Sequence, residues 1–227
     1  MCIINHSRRF IFVHVPKCAG TTVAAHLSPL TTYRDLEIGA TQLGEAAARY
    51  YRDRFGLAKH STLEEIAKVV GREEISAFFT FGFVRNPYDR VVSFFTFLRS
   101  WTGSPLREAL QNMRDVNEFI QSEHFRGDGV DRLYKPQAFW LFYREGGVER
   151  SVDFVGRVEN MDESLAEIDR RLGLPPQTRL NTALPRHNAS RDTAKNVNLE
   201  LDEISVALIN ERYAEDFQRF GYAMQEV

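Results

Sequence analysis

Apolar residues in this chain change their spacing repeatedly, and the changes mark where strands hand over to helices. Phe10-Ile11-Phe12-Val13-His14-Val15 is a short, β-rich and almost unbroken apolar run, which predicts a buried strand stopping at Pro16. A helix-like stretch opens at Gly20-Thr21-Thr22 and continues through Leu27. A second strand, Phe81-Gly82-Phe83-Val84, closes the longest apolar stretch of the chain, Ile75 to Val84. Beyond it Asn86 is a good N-cap and Pro87 suits the first helical position, so a helix should start immediately after Arg85. Val91, Phe94, Phe95 and Leu98 then recur at i, i+3, i+4 and i+7 as its inward face.

Other segments follow the same logic. Leu63 to Val70 reads as a helix opened by Ser61 or Thr62, with Glu64 or Glu65 completing a capping box and Gly71 ending it. Val116 to Glu123 and Pro136 to Tyr143 read as helical and aromatic; Phe139 and Trp140 either wall a ligand cleft or, the expected role, pack in the core. Val152 to Val158 reads as a strand, and Met161 to Leu172 as an amphipathic helix stopped by Gly173 and Pro175. Leu199 to Phe220 reads as one long final helix with Leu201, Ile204, Leu208 and Ile209 inward. Strands alternating with helices predict an α/β fold around a mainly parallel sheet, with ligands at the carboxyl ends of its strands.

Composition narrows the picture. With 227 residues and 43% hydrophobic content the chain can bury one sizeable core, and no Pro/Gly/Ser linker or internal repeat divides it, so a single domain over residues 1–227 is expected. A net charge of −2 argues against nucleic acid as a partner and makes the basic residues of the motifs local anion clamps. Cys2 and Cys18 form neither a disulfide framework nor a zinc spacing, which suits a reducing cytoplasm. Arg8 and Arg9 precede an apolar segment that is too short for a signal peptide and breaks at Pro16. No apolar stretch approaches a transmembrane segment, and a cytoplasmic location is the expectation.

The two strand-to-helix junctions carry the chemistry. At the first, the amides of the turn and helix start converge where an anion would sit, Lys17 adds a point charge, Gly20 allows close backbone approach, and the Thr21 and Thr22 hydroxyls add donors. This resembles a nucleotide P-loop without being one, because Lys17 precedes the only glycine of the loop, whereas a Walker A lysine follows its second glycine. No apolar strand ends in an Asp to hold magnesium; the second strand ends in Arg85. Arg85 and the Ser93 hydroxyl, about two turns further along, form a natural phosphate clamp. Two anion sites on one sheet imply a ligand with two separated phosphates.

Pro16-Lys17-Cys18-Ala19-Gly20-Thr21-Thr22 after a strand, with Arg85-Asn86-Pro87-Tyr88-Asp89-Arg90-Val91-Val92-Ser93-Phe94-Phe95 further on, resembles the paired sites of sulfotransferases using 3′-phosphoadenosine 5′-phosphosulfate (PAPS). The order of the remaining pieces resembles the bacterial and carbohydrate-type, family 2-like branch: Lys59-His60-Ser61-Thr62 between the sites, VDFVGRVENMDESL from Val152, LPRHNAS from Leu184, and a final helix ending near Phe220-Gly221-Tyr222. The resemblance implies a three-layer P-loop-NTPase-like α/β fold. It assigns the 5′-phosphosulfate to Lys17, Gly20, Thr21 and Thr22, with Cys18 and Ala19 in the same loop, and the 3′-phosphate to Arg85 and Ser93. Asn188, Ser190 and Arg191 would belong to a late loop closing over the nucleotide. It further implies metal-independent transfer of a sulfuryl group from PAPS to an acceptor hydroxyl on a carbohydrate, releasing 3′-phosphoadenosine 5′-phosphate (PAP). Golgi relatives of this branch carry a membrane anchor, so a soluble, bacterial-type enzyme is expected here.

Sulfuryl transfer needs an activated acceptor hydroxyl, in-line geometry and stabilisation of charge on the leaving phosphate. Lys17 can supply the last. His60 is the candidate base because it stands just before a capped helix start, where the dipole disfavours the imidazolium, and the resemblance implies a histidine in the same interval. His14 is a rival that strand alternation could turn either way, and Glu159 could be a second base, an acceptor-positioning residue or part of an ion pair. Two other functions compete: a P-loop-like small-molecule kinase, opposed by the misplaced lysine and missing magnesium carboxylate, and a non-catalytic nucleotide-binding module.

Overall fold

Four residues, Cys2-Ile3-Ile4-Asn5, are too few to show a period, yet every one is buried and they pair on both sides. They form the first strand of the sheet. The computed structural model describes residues 2–39, 41–127, 132–174 and 198–227. In chain order its elements are β1 Cys2–Asn5, β2 Phe10–Val13, α1 Gly20–Leu27, β3 Leu36–Ile38, α2 Gln42–Phe55, α3 Leu63–Val70, β4 Phe79–Val84, α4 Pro87–Ser100, α5 Arg107–Asn112, α6 Val116–Gln121, α7 Glu123–Arg126, α8 Ala138–Leu141, β5 Phe142–Glu145, β6 Val148–Ser151, β7 Phe154–Arg157, α9 Met161–Arg171, α10 Glu203–Arg212 and α11 Ala214–Phe220.

The main sheet has the order β3-β1-β2-β4-β7. β2 pairs parallel with β4, Phe12 opposite Phe81, and β4 parallel with β7, Val84 opposite Arg157. β1 is antiparallel to both β2 and β3, so every strand of this sheet but β1 runs the same way. The protein is therefore an α/β fold with a mixed, largely parallel sheet flanked by helices. β1 and β2 are buried throughout and β4 nearly so, which explains their near-continuous apolar sequences. Phe12 and Phe81 stack across the strands at 5.7 Å between ring centroids.

The chain divides into two compact units, Met1–Val84 with Gln137–His187 and Arg85–Pro136 with Asn188–Val227. The first contains the main sheet. Its α3 has the expected capping box, Thr62 accepting from the Glu65 amide and Glu65 reaching back to the Thr62 amide, and Gly71 ends it. The helix expected over Pro136 to Tyr143 is shorter. It covers Ala138–Leu141, and the chain then enters β5, which pairs antiparallel with β6. Gly146 and Gly147, at φ 55° and 81°, supply the two positive-φ positions of a tight hairpin, and that pairing competes with helix continuation.

The second unit is built around α4. Val91, Phe94, Phe95 and Leu98 are all buried, joined by Phe119, Ile120, Tyr134, Val206, Ile209, Tyr213 and Phe217. The single final helix expected over Leu199 to Phe220 is in fact two. Asp202 caps α10 by accepting from the Ser205 amide, which starts the helix at Glu203, and Tyr213, at φ −112° and ψ 23°, separates it from α11. Tyr213 buries its ring and donates its hydroxyl to the Tyr134 carbonyl at 3.1 Å, an anchor that outweighs helix continuity. The later start rotates the inward face: Val206 and Ile209 are buried, Leu201 and Leu208 are half-buried against the core, and Ile204, expected inward, is exposed.

Candidate active site

β2 ends at Val13, and the chain crosses the carboxyl end of the strand through His14-Val15-Pro16-Lys17-Cys18-Ala19 before α1 begins. Lys17 and Ala19 hold φ at 65° and 54°, left-handed values that no glycine is there to ease. The Cys18 amide closes a turn onto the Val15 carbonyl at 3.3 Å, and the Thr22 and Val23 amides both reach the Ala19 carbonyl. Among the described residues, the amides of Ala19, Gly20 and Thr21 meet no protein acceptor. Successive orphan donors at a helix start form an anion cradle. Lys17 is half-buried beside it, Thr21 is exposed and Thr22 half-buried.

Cys18 turns its side chain the other way. It is buried, and its thiol lies 3.6 Å from the Pro16 carbonyl and donates to Gln137 Oε1 at 3.1 Å. Gln137, fully buried, precedes α8, whose Trp140 donates its indole N–H to the His60 carbonyl at 3.3 Å. One short segment thus supports both the Lys17 loop and the Lys59-His60 segment. Trp140 is in the core, as expected, whereas Phe139 is exposed.

His60 and His14 meet. Their ring centroids are 4.4 Å apart at 43°, and His60 Nδ1–H donates to the His14 carbonyl at 3.0 Å. A carbonyl can only accept, so the neutral His60 imidazole carries its proton on Nδ1 and its basic lone pair on Nε2. Burial pushes His60 down to about 3, with the charges of Lys59 and Lys17 adding to the effect and the bond to His14 opposing it. Burial also holds His14 well below the ordinary histidine range, helped by His60, Lys59 and Lys17. The direction read from the sequence is the same, but burial rather than a helix dipole is the main cause that favours the neutral form. Lys59 runs past Gly39 to Glu45 on α2, at 2.9 Å.

The other candidates occupy distinct places. Glu159 is exposed in the turn after β7. In the second unit, Arg85 is half-buried, Asn86 caps α4 by accepting from the Tyr88 amide at 3.0 Å, and Ser93 is buried on that helix. Asn188, Ser190 and Arg191 lie outside the described residues. Arg90, quoted in the motif but given no role there, is fully buried; it donates to the Lys135 and Leu133 carbonyls at 3.1 Å each and lies over the Phe94 and Tyr213 rings. His26 on α1 and Asp169 on α9 form a second buried contact that the sequence did not signal, 2.7 Å from Nε2 to Oδ1. Among the described residues no helix is long and apolar enough to cross a membrane.

The model of the Sulfotransferase family matches residues 1–223. An uncharacterized protein of Archaeoglobus fulgidus is 29% identical over 119 residues, which are 50% of this chain and 85% of that protein. The crystal structure of the mouse sulfotransferase SULT7A1 complexed with PAP aligns over 96% of this chain and 83% of that one, with 19% identity and a TM-score of 0.47.

Proposed function

This chain belongs to the Sulfotransferase family, a family of PAPS-dependent enzymes, and from that premise we propose that its acceptor is a carbohydrate hydroxyl and that His60 is the base that activates it. The observation that carries the reading is the bond from His60 Nδ1–H to the His14 carbonyl, which aims a neutral imidazole's lone pair from Nε2. A base in that state takes the acceptor proton as the acceptor oxygen bonds to sulfur and the bond from sulfur to the phosphate oxygen breaks. Lys17 meets the charge growing on that leaving oxygen. The Ala19, Gly20 and Thr21 amides and the Thr21 and Thr22 hydroxyls receive the 5′-phosphosulfate.

The orphan amides fit this donor because they ask for an anion and for no metal ligand. A bound anion also raises a nearby histidine's affinity for a proton, which returns His60 towards a useful basicity during turnover. Arg85 and Ser93 take the 3′-phosphate, and Asn188, Ser190 and Arg191 are further nucleotide-binding residues in this reading. The whole chain acts as one sulfotransferase domain, supported by a family match that runs almost from end to end.

The test is an acceptor screen with PAPS in which products are read by mass. Sulfated saccharides from the wild type and none from His60→Ala are expected. Sulfation confined to phenols or peptides would overturn the carbohydrate reading, and wild-type rates from His60→Ala would overturn the base.

A further inference from the structure

Gly20 has a reason to be glycine that close approach of a phosphate does not supply. It is the first residue of α1, and its φ is not in the left-handed region, so the backbone alone does not require it. His14 does. A Cβ added to Gly20 would lie 1.7 Å from His14 Nε2 and 2.3 Å from both Cδ2 and Cε1. The imidazole fills the space where any side chain at position 20 would begin.

That ring has little room to retreat. His14 is 6% exposed; Phe12, itself fully buried, stacks on it at 5.9 Å with the rings 25° apart, and the His60 ring stands 4.4 Å away. The His14 carbonyl accepts the Nδ1–H that fixes the His60 tautomer. His14 therefore touches the donor loop through its ring, and the candidate base through both its ring and its main chain.

We propose that His14 is the positioning residue of this site: its imidazole, seated in the space that Gly20 leaves, holds in place the main-chain carbonyl that fixes the His60 tautomer, and so keeps His60 in register with the Lys17 loop. The catalytic consequence rests on the base role proposed above; the coupling of Gly20, His14 and His60 does not. A methyl group at position 20 would then press first on a ring, and through it on His60, rather than on a bound nucleotide.

The experiment compares the wild type, Gly20→Ala, His14→Ala and the double variant. Nitrogen NMR of the imidazoles at neutral pH reads the His60 tautomer, calorimetry with PAP reads the donor site, and melting reads the fold. Gly20→Ala is expected to move His60 out of the Nδ1–H form. In the His14→Ala background the same change should add nothing to the tautomer or the PAP readout, the signature of two positions that act through one contact. If Gly20→Ala does not fold, recovery of a folded, PAP-binding protein in the double variant supports the proposal, and failure of the double variant overturns it. Loss of PAP affinity by about tenfold or more in both backgrounds, with the His60 tautomer unmoved, also overturns it and returns Gly20 to the ligand. Failure of the wild type to bind PAP would count against the donor reading alone, because the tautomer is read without ligand.

Discussion

The β2–α1 and β4–α4 junctions look alike as sequence, each an apolar strand followed by a basic residue and a helix start, but they divide their residues between chemistry and support in opposite ways. At the first, Lys17 remains half-buried in the loop, the Ala19, Gly20 and Thr21 amides are left without protein acceptors, and the supporting work falls to residues distant in sequence, Gln137 and Trp140. At the second, much of the motif supports itself: Asn86 caps the helix, Tyr88 is buried, and Arg90 is sunk among the Lys135 and Leu133 carbonyls and the Phe94 and Tyr213 rings. A basic residue in a binding motif is thus not automatically a binding residue. Burial decides.

The largest expected effect separates the two arginines of the second junction. Arg90→Ala strips a buried charge from its carbonyls and opens a cavity, and should cost about 3–5 kcal/mol in urea unfolding. Arg85→Ala, at a half-buried position, should cost far less. Equal losses would erase the distinction between the scaffold arginine and the one proposed to bind the 3′-phosphate.

Lys17→Ala tests the first junction in the opposite sense. Its stability should fall by less than that of Arg90→Ala. Turnover of PAPS should fall about 10²–10³-fold, the range for losing one group that meets transition-state charge. A Lys17→Ala protein that unfolds early yet turns over normally would place the lysine with the scaffold.

A smaller effect is expected from pH. His60 has an ordinary pKa near 6.5 when unfolded and is held down to about 3 in the folded protein, so the unfolded chain takes up its proton first as pH falls. This part of the stability is complete above about pH 6.5 and is lost progressively towards pH 3. His60→Gln should flatten the fall in melting temperature over that window, while His14, shifted in the same direction, keeps part of the slope. Superimposable pH profiles for the wild type and His60→Gln would contradict the burial assigned to this histidine.

Much of this was legible in the sequence because it is local. The strand, loop and helix order around Lys17, the Asn86-Pro87 start, the Thr62 capping box and the Val91–Leu98 face all depend on residues within a turn or two of one another. His60 could be named for a related reason, since it abuts a capped helix. What escaped depends on partners far along the chain. β1 is set by pairing on both sides, the break at Tyr213 by its bond to Tyr134, and the support of Cys18 by Gln137, 119 residues away. The seating of His14 on Gly20 escaped as well: the glycine was visible, but the ring in its space was not.

The central proposal assigns the 5′-phosphate to the Lys17 loop and the 3′-phosphate to Arg85 and Ser93, and the melting shift given by PAP compared with AMP tests it most directly. With each ligand at about a hundred times the dissociation constant of PAP, PAP should stabilise the wild type by about 2.7 kcal/mol and AMP by much less. In Arg85→Ala the advantage of PAP should disappear while the response to AMP persists. Equal shifts from PAP and AMP in the wild type would contradict the claim.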